Sequence, residues 1–173
     1  MKDYFLDWNK PWGIISDAHG NYFGLDAAVE ALREHDVGTI FFLGDALGYL
    51  PFASKVLRRL SGIRAVCLCG NHEAMALNRL PLENSRDRYY KLNLIKQTLS
   101  EEDFLQISQW TERLDLDGPL GKISMMHGGF GNPLEEYVYP DSDLSSYSES
   151  GNTAVFVGNT HRPFCKKAGS TTV

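Results

Sequence analysis

No apolar run in the 173 residues reaches the roughly 20 residues that a membrane-spanning helix needs, so the sequence reads as a soluble chain. The first ten residues, MKDYFLDWNK, mix charges with aromatics and lack the apolar core and small-residue cleavage site of a secretory signal, which predicts a cytoplasmic protein. Cysteine is scarce, with three in the chain, and Cys67 and Cys69 alternate within IRAVCLCG. In a strand both would face one neighbouring layer, as buried thiols and not as a disulfide or a zinc clamp. Excess positive charge is also absent: 17 Lys and Arg stand against 22 Asp and Glu, a net charge of −5. The basic residues are scattered apart from Arg58/Arg59 and Lys166/Lys167, so there is no nucleic-acid footprint. An acidic chain repels anions at long range, so phosphate recognition would need a local cation such as a bound metal. Internal repeats and low-complexity linkers are missing too, and the length fits a single domain over residues 1–173.

What is present is an alternation of short apolar runs and amphipathic segments. WGIISD predicts a strand ending at Asp17, and FGLDAAVEALREH a helix with Leu25, Ala28, Val29 and Leu32 on one stripe. GTIFFLGD predicts a second strand ending at Asp45. PFASKVLRRL predicts a helix with Pro51 in its first turn and Val56, Leu57 and Leu60 on its buried face. IRAVCLCGN predicts a third strand ending at Asn71. This succession argues for parallel pairing, because parallel neighbours need a helix-length crossover. SRDRYYKLNLIKQTLS and SEEDFLQISQWTERL read as helices, the second capped by Ser100. RLDLDGPLGKISMMHGG reads as two strands around a Gly/Pro turn, the second ending at His127. NPLEEYVYPDSDLSSYSESGN reads as loop with some helix, and TAVFVGNTH as the last clear strand.

The strand ends carry the chemistry. SDAHGN supplies Asp17 and His19, LGDALG supplies Asp45, CGNHE supplies Asn71 and His72, MHGG supplies His127, and GNTH supplies His161. Four of the five histidines are used in this way, and His35 is read as a surface residue near a helix end. Any one of these pieces is ordinary turn chemistry, or a histidine bonded to its own backbone surroundings. As a set at the ends of successive strands they converge in space, where open α/β sheets place ligand groups.

The ordered motifs Asp-x-His, Gly-Asp, Gly-Asn-His-Glu, His-Gly and Gly-x-Thr-His, spanning residues 17 to 161, resemble those of the calcineurin-like metallophosphoesterase superfamily. SDAHGN, FLGDALGYLP, HGG with PLEEYV after it, and THRP are similar to its small bacterial and archaeal branch. The resemblance implies a four-layer α/β/β/α sandwich of two mixed sheets flanked by helices, with the site at the strand ends along one rim. It implies two divalent metal ions, with Asp17, His19 and His161 at one, Asp45 bridging both, and Asn71 with His127 at the other. Mixed oxygen and nitrogen donors without thiolates suit manganese foremost, with iron, nickel, cobalt or zinc as alternatives, and disfavour calcium.

The implied reaction is hydrolysis of a small phosphomonoester or phosphodiester by a water activated between the metals. His72 would contact phosphate and protonate the leaving alkoxide, with Glu73 holding its second ring nitrogen or lying exposed at a helix start. Asn159 stands where the family pattern has a histidine, and as a ligand of the second metal it would be the weaker donor. Relatives continue past the last motif through further strands with an Asn-Pro-Gly-Ser turn. KKAGSTTV would be the remnant, leaving an exposed sheet edge through which two copies could pair. The alternative class is a catalytically weak protein-binding scaffold on the same fold, while a nuclease would want a basic groove. Substrate choice would lie in loops 78–98 and 130–152, where Tyr89, Tyr90, Tyr137 and Tyr139 could pack or stack on a base or sugar.

Overall fold

The computed structural model describes residues 6–173. Of the ten N-terminal residues read for a signal, the first five therefore lie outside the described residues. No helix of the structure is long and apolar enough to cross a membrane.

Three β-α steps open the fold. Strand β1 (Trp12–Ile15) leads to helix α1 (Tyr22–Glu34), β2 (Thr39–Phe42) to α2 (Ala53–Gly62), and β3 (Val66–Cys67) to the short α3 (Asn71–Ala76). β1, β2 and β3 lie side by side in a wholly parallel sheet, β2 pairing with both neighbours. Along β2 the side chains alternate faces, Phe42 packing towards the helices and Phe41 towards the second sheet. Leu25 and Val29 of α1 and Val56, Leu57 and Leu60 of α2 are buried on the helical side, as their spacing predicts.

Helices α4 (Asn84–Tyr90), α5 (Leu92–Lys96) and α6 (Glu101–Ser108) follow. Lys91, with φ 58°, breaks the middle segment into two helices where the sequence reads as one. Ser100 caps α6 as predicted. Its hydroxyl accepts from the Asp103 amide at 3.1 Å, and the Asp103 carboxylate accepts from the Ser100 amide at 3.0 Å.

The second sheet has the order β4-β5-β6-β8-β7. Its members are β4 (Arg113–Gly118), β5 (Gly121–Met126), β6 (Ala154–Phe156), β7 (Lys167–Ala168) and β8 (Thr171–Thr172), with α7 (Ser145–Ser148) inserted before β6. β4/β5 and β7/β8 are antiparallel, whereas β5/β6 and β6/β8 are parallel, so the expected mixed pairing belongs to this sheet and not to the first. Ile123 and Met125 of β5 face Phe41, Leu43, Val66 and Leu68 to form the core between sheets. Met126 packs on the other side with Val138, Leu144 and Tyr147. The four layers are thus helices, parallel sheet, mixed sheet, and an outer layer of α7 with the 130–144 segment.

Three local expectations are corrected. Pro51 lies two residues before α2, whose N-cap is Phe52, and not inside its first turn. The third strand stops at Cys67, and Asn71 opens α3 instead of ending the strand, because Gly70 has turned the chain into a helix entry. KKAGSTTV, read as a remnant that leaves the second sheet short of edge strands, supplies two of them: its ends pair through Lys166 and Val173 around Gly169, at φ 59°, and add β7 and β8 to the sheet. The cysteines form no disulfide. Cys69 is buried in the helical core with Cys67 packed partly against it, and Cys165 is exposed.

Candidate metal centre

The loops after β1, β2, β5 and β6 meet at one rim, and backbone bonds fix them to each other. The Asp17 amide donates to the Gly44 carbonyl at 3.0 Å and the His19 amide to the Asp45 carbonyl at 2.8 Å. The Gly158 amide donates to the His127 carbonyl at 2.9 Å, and the Asn159 amide to Asp17 Oδ2 at 3.1 Å. Asp17, His19, Asp45, Asn159 and His161 all take positive φ, between 45° and 68°. Non-glycine residues hold this region only where the surroundings compensate, and five of them at one rim is a concentration of the kind found at functional sites.

The side chains converge as the strand ends predict. His161 Nε2 lies 3.0 Å from His19 Nε2 and 3.2 Å from Asp17 Oδ1, and His19 Nε2 lies 3.7 Å from Asp45 Oδ2. The same Asp45 Oδ2 lies 3.3 Å from His127 Nε2, which is 3.0 Å from Asn71 Oδ1. Three overlapping groups have donor atoms within 4.8 Å of one another: Asp17, His19 and His161; Asp17, Asp45 and His127; and His19, Asp45 and His72. Asp45 belongs to two of them, from a position 2 % exposed between the others.

The backbone sets the tautomers. His19 Nδ1 donates to the Leu47 carbonyl at 2.9 Å and His127 Nδ1 to the Leu43 carbonyl at 3.0 Å, so each ring turns Nε2 towards Asp45. Burial alone would lower the His127 pKa, but the Asp45 carboxylate beside it raises it to about 9. Burial likewise pushes Asp45 up, and the charges of His127, His72 and His19 overcome it and hold the carboxyl well below its ordinary range. The Asp17 carboxylate, 3.2 Å from its Nε2, raises His161. The cluster thus draws positive charge, as protons on its imidazoles or as a metal competing for the same lone pairs.

The residues fit a metal on two further observations. Asp17 Oδ1 is a buried oxygen with no hydrogen-bond donor aligned on it. Asn71 Oδ1 faces acceptors, an arrangement that a cation relieves, whereas the turned-over amide would donate to Asp45 Oδ2 at 3.0 Å.

His72 is held by packing. Its ring lies 4.3 Å from that of Tyr90 and stacks on Tyr49 at 5.4 Å, while its Nδ1 is buried without a hydrogen-bond partner. Burial lowers its pKa to about 4, so the ring is neutral and its Nε2 side faces the cavity, 3.7 Å from Asp45 Oδ2.

Glu73 does not hold that ring, which corrects the expectation for it. It is fully buried and accepts the amides of Asp45 at 2.8 Å, Gly70 at 3.0 Å and Leu47 at 3.1 Å. Desolvation pushes its pKa up, and its work is to brace the loop that carries Asp45. Asn159 lies at the rim with its Nδ2 donating to the Glu136 carbonyl at 3.2 Å, so its oxygen is the atom left for a ligand role. His35 is exposed and distant in role, as read.

Sequence reasoning missed Gly48 and Tyr49, whose only signal is their place just after the Gly-Asp pair. At φ 99°, Gly48 leaves no room for a side chain: a Cβ there would lie 2.1 Å from His72 Nδ1. Gly48→Ala is therefore expected to cost ~1–3 kcal/mol through left-handed strain alone and to displace the His72 ring. Urea unfolding checks this, and an unchanged midpoint would contradict it.

Two sheets flanked by helices, with Asp and His side chains gathered near the strand ends, define an α/β chain with candidate metal-binding groups at one rim. The chain belongs to the calcineurin-like phosphoesterase superfamily, whose domain model matches residues 12–173. An uncharacterised protein of Methanocaldococcus jannaschii is 24% identical over 156 residues, covering 87% of this chain and 62% of that protein. A metallophosphoesterase of Sphaerobacter thermophilus, 24% identical, superposes with a TM-score of 0.70 over 90% of this chain and 62% of that one. A hypothetical protein of Pyrococcus horikoshii OT3, 16% identical, superposes at 0.74 over 92% and 73%. The chain thus spans less than two thirds of the length of the first two.

Proposed function

We propose that this chain hydrolyses a small phosphomonoester or phosphodiester with two divalent metal ions, manganese foremost. The observation that carries the reading is the shared position of Asp45. It is a buried carboxylate whose Oδ2 lies 3.7 Å from His19 Nε2, in the group with Asp17 and His161, and 3.3 Å from His127 Nε2, which is itself 3.0 Å from Asn71 Oδ1. One carboxylate between two donor sets is the means by which a protein keeps two cations about 3.5 to 4 Å apart. The metals would supply positive charge for the phosphoryl oxygens and an acidified water as nucleophile. Asp17, His19, His161 and Asp45 would hold one, and Asp45, Asn71, His127 and the Asn159 oxygen the other. His72 faces the same cavity with a neutral ring, placed to donate its Nε2–H to a phosphoryl or leaving-group oxygen. A cytoplasmic location and a small soluble substrate belong to the same proposal. Pairing of two copies through a sheet edge is a separate proposal, and the outer strands are poor material for it: β4 carries Arg113, Asp115 and Asp117, and β7 is two residues long and carries Lys167.

The test is a matrix of Mn, Ni, Co, Zn and Mg against aryl monoesters, aryl diesters and nucleotides, on protein first stripped with chelator. Hydrolysis restored by added metal supports the proposal, and an equal rate in stripped and loaded protein ends it. Calorimetric titration of the stripped protein is expected to show one tight and one weaker event, because the second group replaces an imidazole with the Asn159 oxygen. Asn159→His should tighten the weaker event alone. Two equally tight events in the unmodified chain would show that another group completes the second set.

A further inference from the structure

The cavity at the rim is about 190 Å³, smaller than the ~300–1,000 Å³ of most small-molecule sites. Once the proposed cations and a phosphoryl group are in that space, the organic part of a substrate lies towards the mouth. What stands there is aromatic: Tyr49, Tyr90 and Tyr137 line the same cavity as His19, Asp45 and His72. Tyr49 and Tyr137 remain 44% and 51% exposed although they border a buried site.

Each ring is held in place. The Tyr49 amide donates to the Tyr90 carbonyl at 2.7 Å, and the two rings meet edge to face at 5.4 Å. Tyr49 sits at φ 55°, a backbone region that bulky residues occupy only where neighbours enforce it. Tyr137 stacks on Tyr139 at 5.9 Å with the planes 7° apart. Its backbone is fastened one residue upstream, where Asn159 Nδ2 donates to the Glu136 carbonyl and the Glu136 carboxylate accepts the amides of Gly131 and Asn132. A segment braced in this way presents its ring without having to order on binding, which lowers the entropic cost of using it.

We propose that Tyr49, Tyr90 and Tyr137 form a stacking subsite, so that the chain selects phosphoesters whose organic group carries a planar aromatic ring. The proposal rests on the hydrolytic reading of the same site and names its substrate class. The Nδ2 of Asn159, whose oxygen is proposed for the second metal, then also positions Tyr137 through the Glu136 carbonyl.

The experiment compares benzyl phosphate with cyclohexylmethyl phosphate on the manganese-loaded protein. The two are similar in bulk and in leaving alcohol but differ in having a π face. Binding of the corresponding non-hydrolysable phosphonates is measured by calorimetry alongside. Aromatic pairing predicts a preference for benzyl phosphate of about three- to tenfold, carried by KM more than by kcat. Tyr137→Leu and Tyr49→Leu, which keep apolar bulk, should bring the ratio towards one, and Asn159→Ala should lower it through Tyr137. A ratio of one in the unmodified protein, or a ratio unmoved by both leucine variants, would overturn the subsite while leaving the hydrolytic reading intact. If neither monoester is hydrolysed, the metal-by-substrate matrix decides the hydrolytic reading and the phosphonates decide the subsite on the unmodified protein. Tighter binding of the benzyl compound upholds it, and equal binding overturns it.

Discussion

Asp45→Asn is expected to lower metal-dependent hydrolysis by about 10³-fold or more while leaving a folded protein, because it takes the shared anion from between two donor sets. The substitution keeps the shape and keeps an oxygen to accept the His72 amide, which Asp45 Oδ1 now does at 2.9 Å. It keeps the Asp45 amide that donates to Glu73, so the bracing of the loop survives. What it removes is the charge that His127, His72 and His19 are gathered around, and with it the reason His127 holds its proton so far above the ordinary imidazole range. Bound metal, measured on the purified variant, should fall from two per chain to one or none. Circular dichroism and a cooperative melt check that the loss is not unfolding. Near-normal activity with two metals still bound would remove Asp45 from the proposed role.

The parts of this site that could be read from the sequence share one physical property: they lie where a local signal and a strand end coincide. An apolar run that stops at Asp17 or at Asp45 fixes the position of the side chain, because a strand allows little freedom and the sheet carries it to a common rim. The convergence of Asp17, His19, Asp45, His127 and His161 was legible from their places just after apolar runs, whereas Asn71 reaches the same rim from the start of α3.

What escaped depends on contacts between segments far apart in the chain. Glu73 follows His72 directly, and sequence proximity suggested a partnership. In the fold its carboxylate is drawn to three backbone amides around the Asp45 loop, since a buried anion gains more from three aligned donors than from one neutral ring. The role of Tyr49 was hidden because nothing local distinguishes an aromatic residue in a turn that packs from one that borders a cavity; its meeting with Tyr90 depends on α4 arriving at the same mouth. Strand length was misread at β3 because the AVCLCG within IRAVCLCGN carries no polar side chain to mark an end. Burial there continues through Leu68 and Cys69 after the ladder to β2 has ended at Cys67.

Replacing His72 by Ala tests the other half of the chemistry, the part that this chain's own side chain performs. If His72 donates a proton or a hydrogen bond to the departing oxygen, turnover on an alkyl phosphate should fall by about 10² to 10⁴ with bound metal unchanged. The ring is not among the residues proposed to hold metal, and its closest approach to Asp45 Oδ2 is 3.7 Å. Its environment adds a condition: burial lowers its pKa to about 4, so near neutral pH the metal-free chain carries it uncharged. A neutral ring donates one N–H. Transfer of a full proton becomes favourable only as negative charge builds on the oxygen facing it, which makes the contribution specific to substrates with poor leaving groups. The loss in His72→Ala should therefore shrink for an aryl ester whose leaving group is already acidic, and the ratio of the two losses is the measurement. Equal losses on both esters would mean that His72 holds phosphate without assisting departure. A fall in bound metal would move His72 into the set of ligands, where its approach to His19 and Asp45 would then have to be read as coordination.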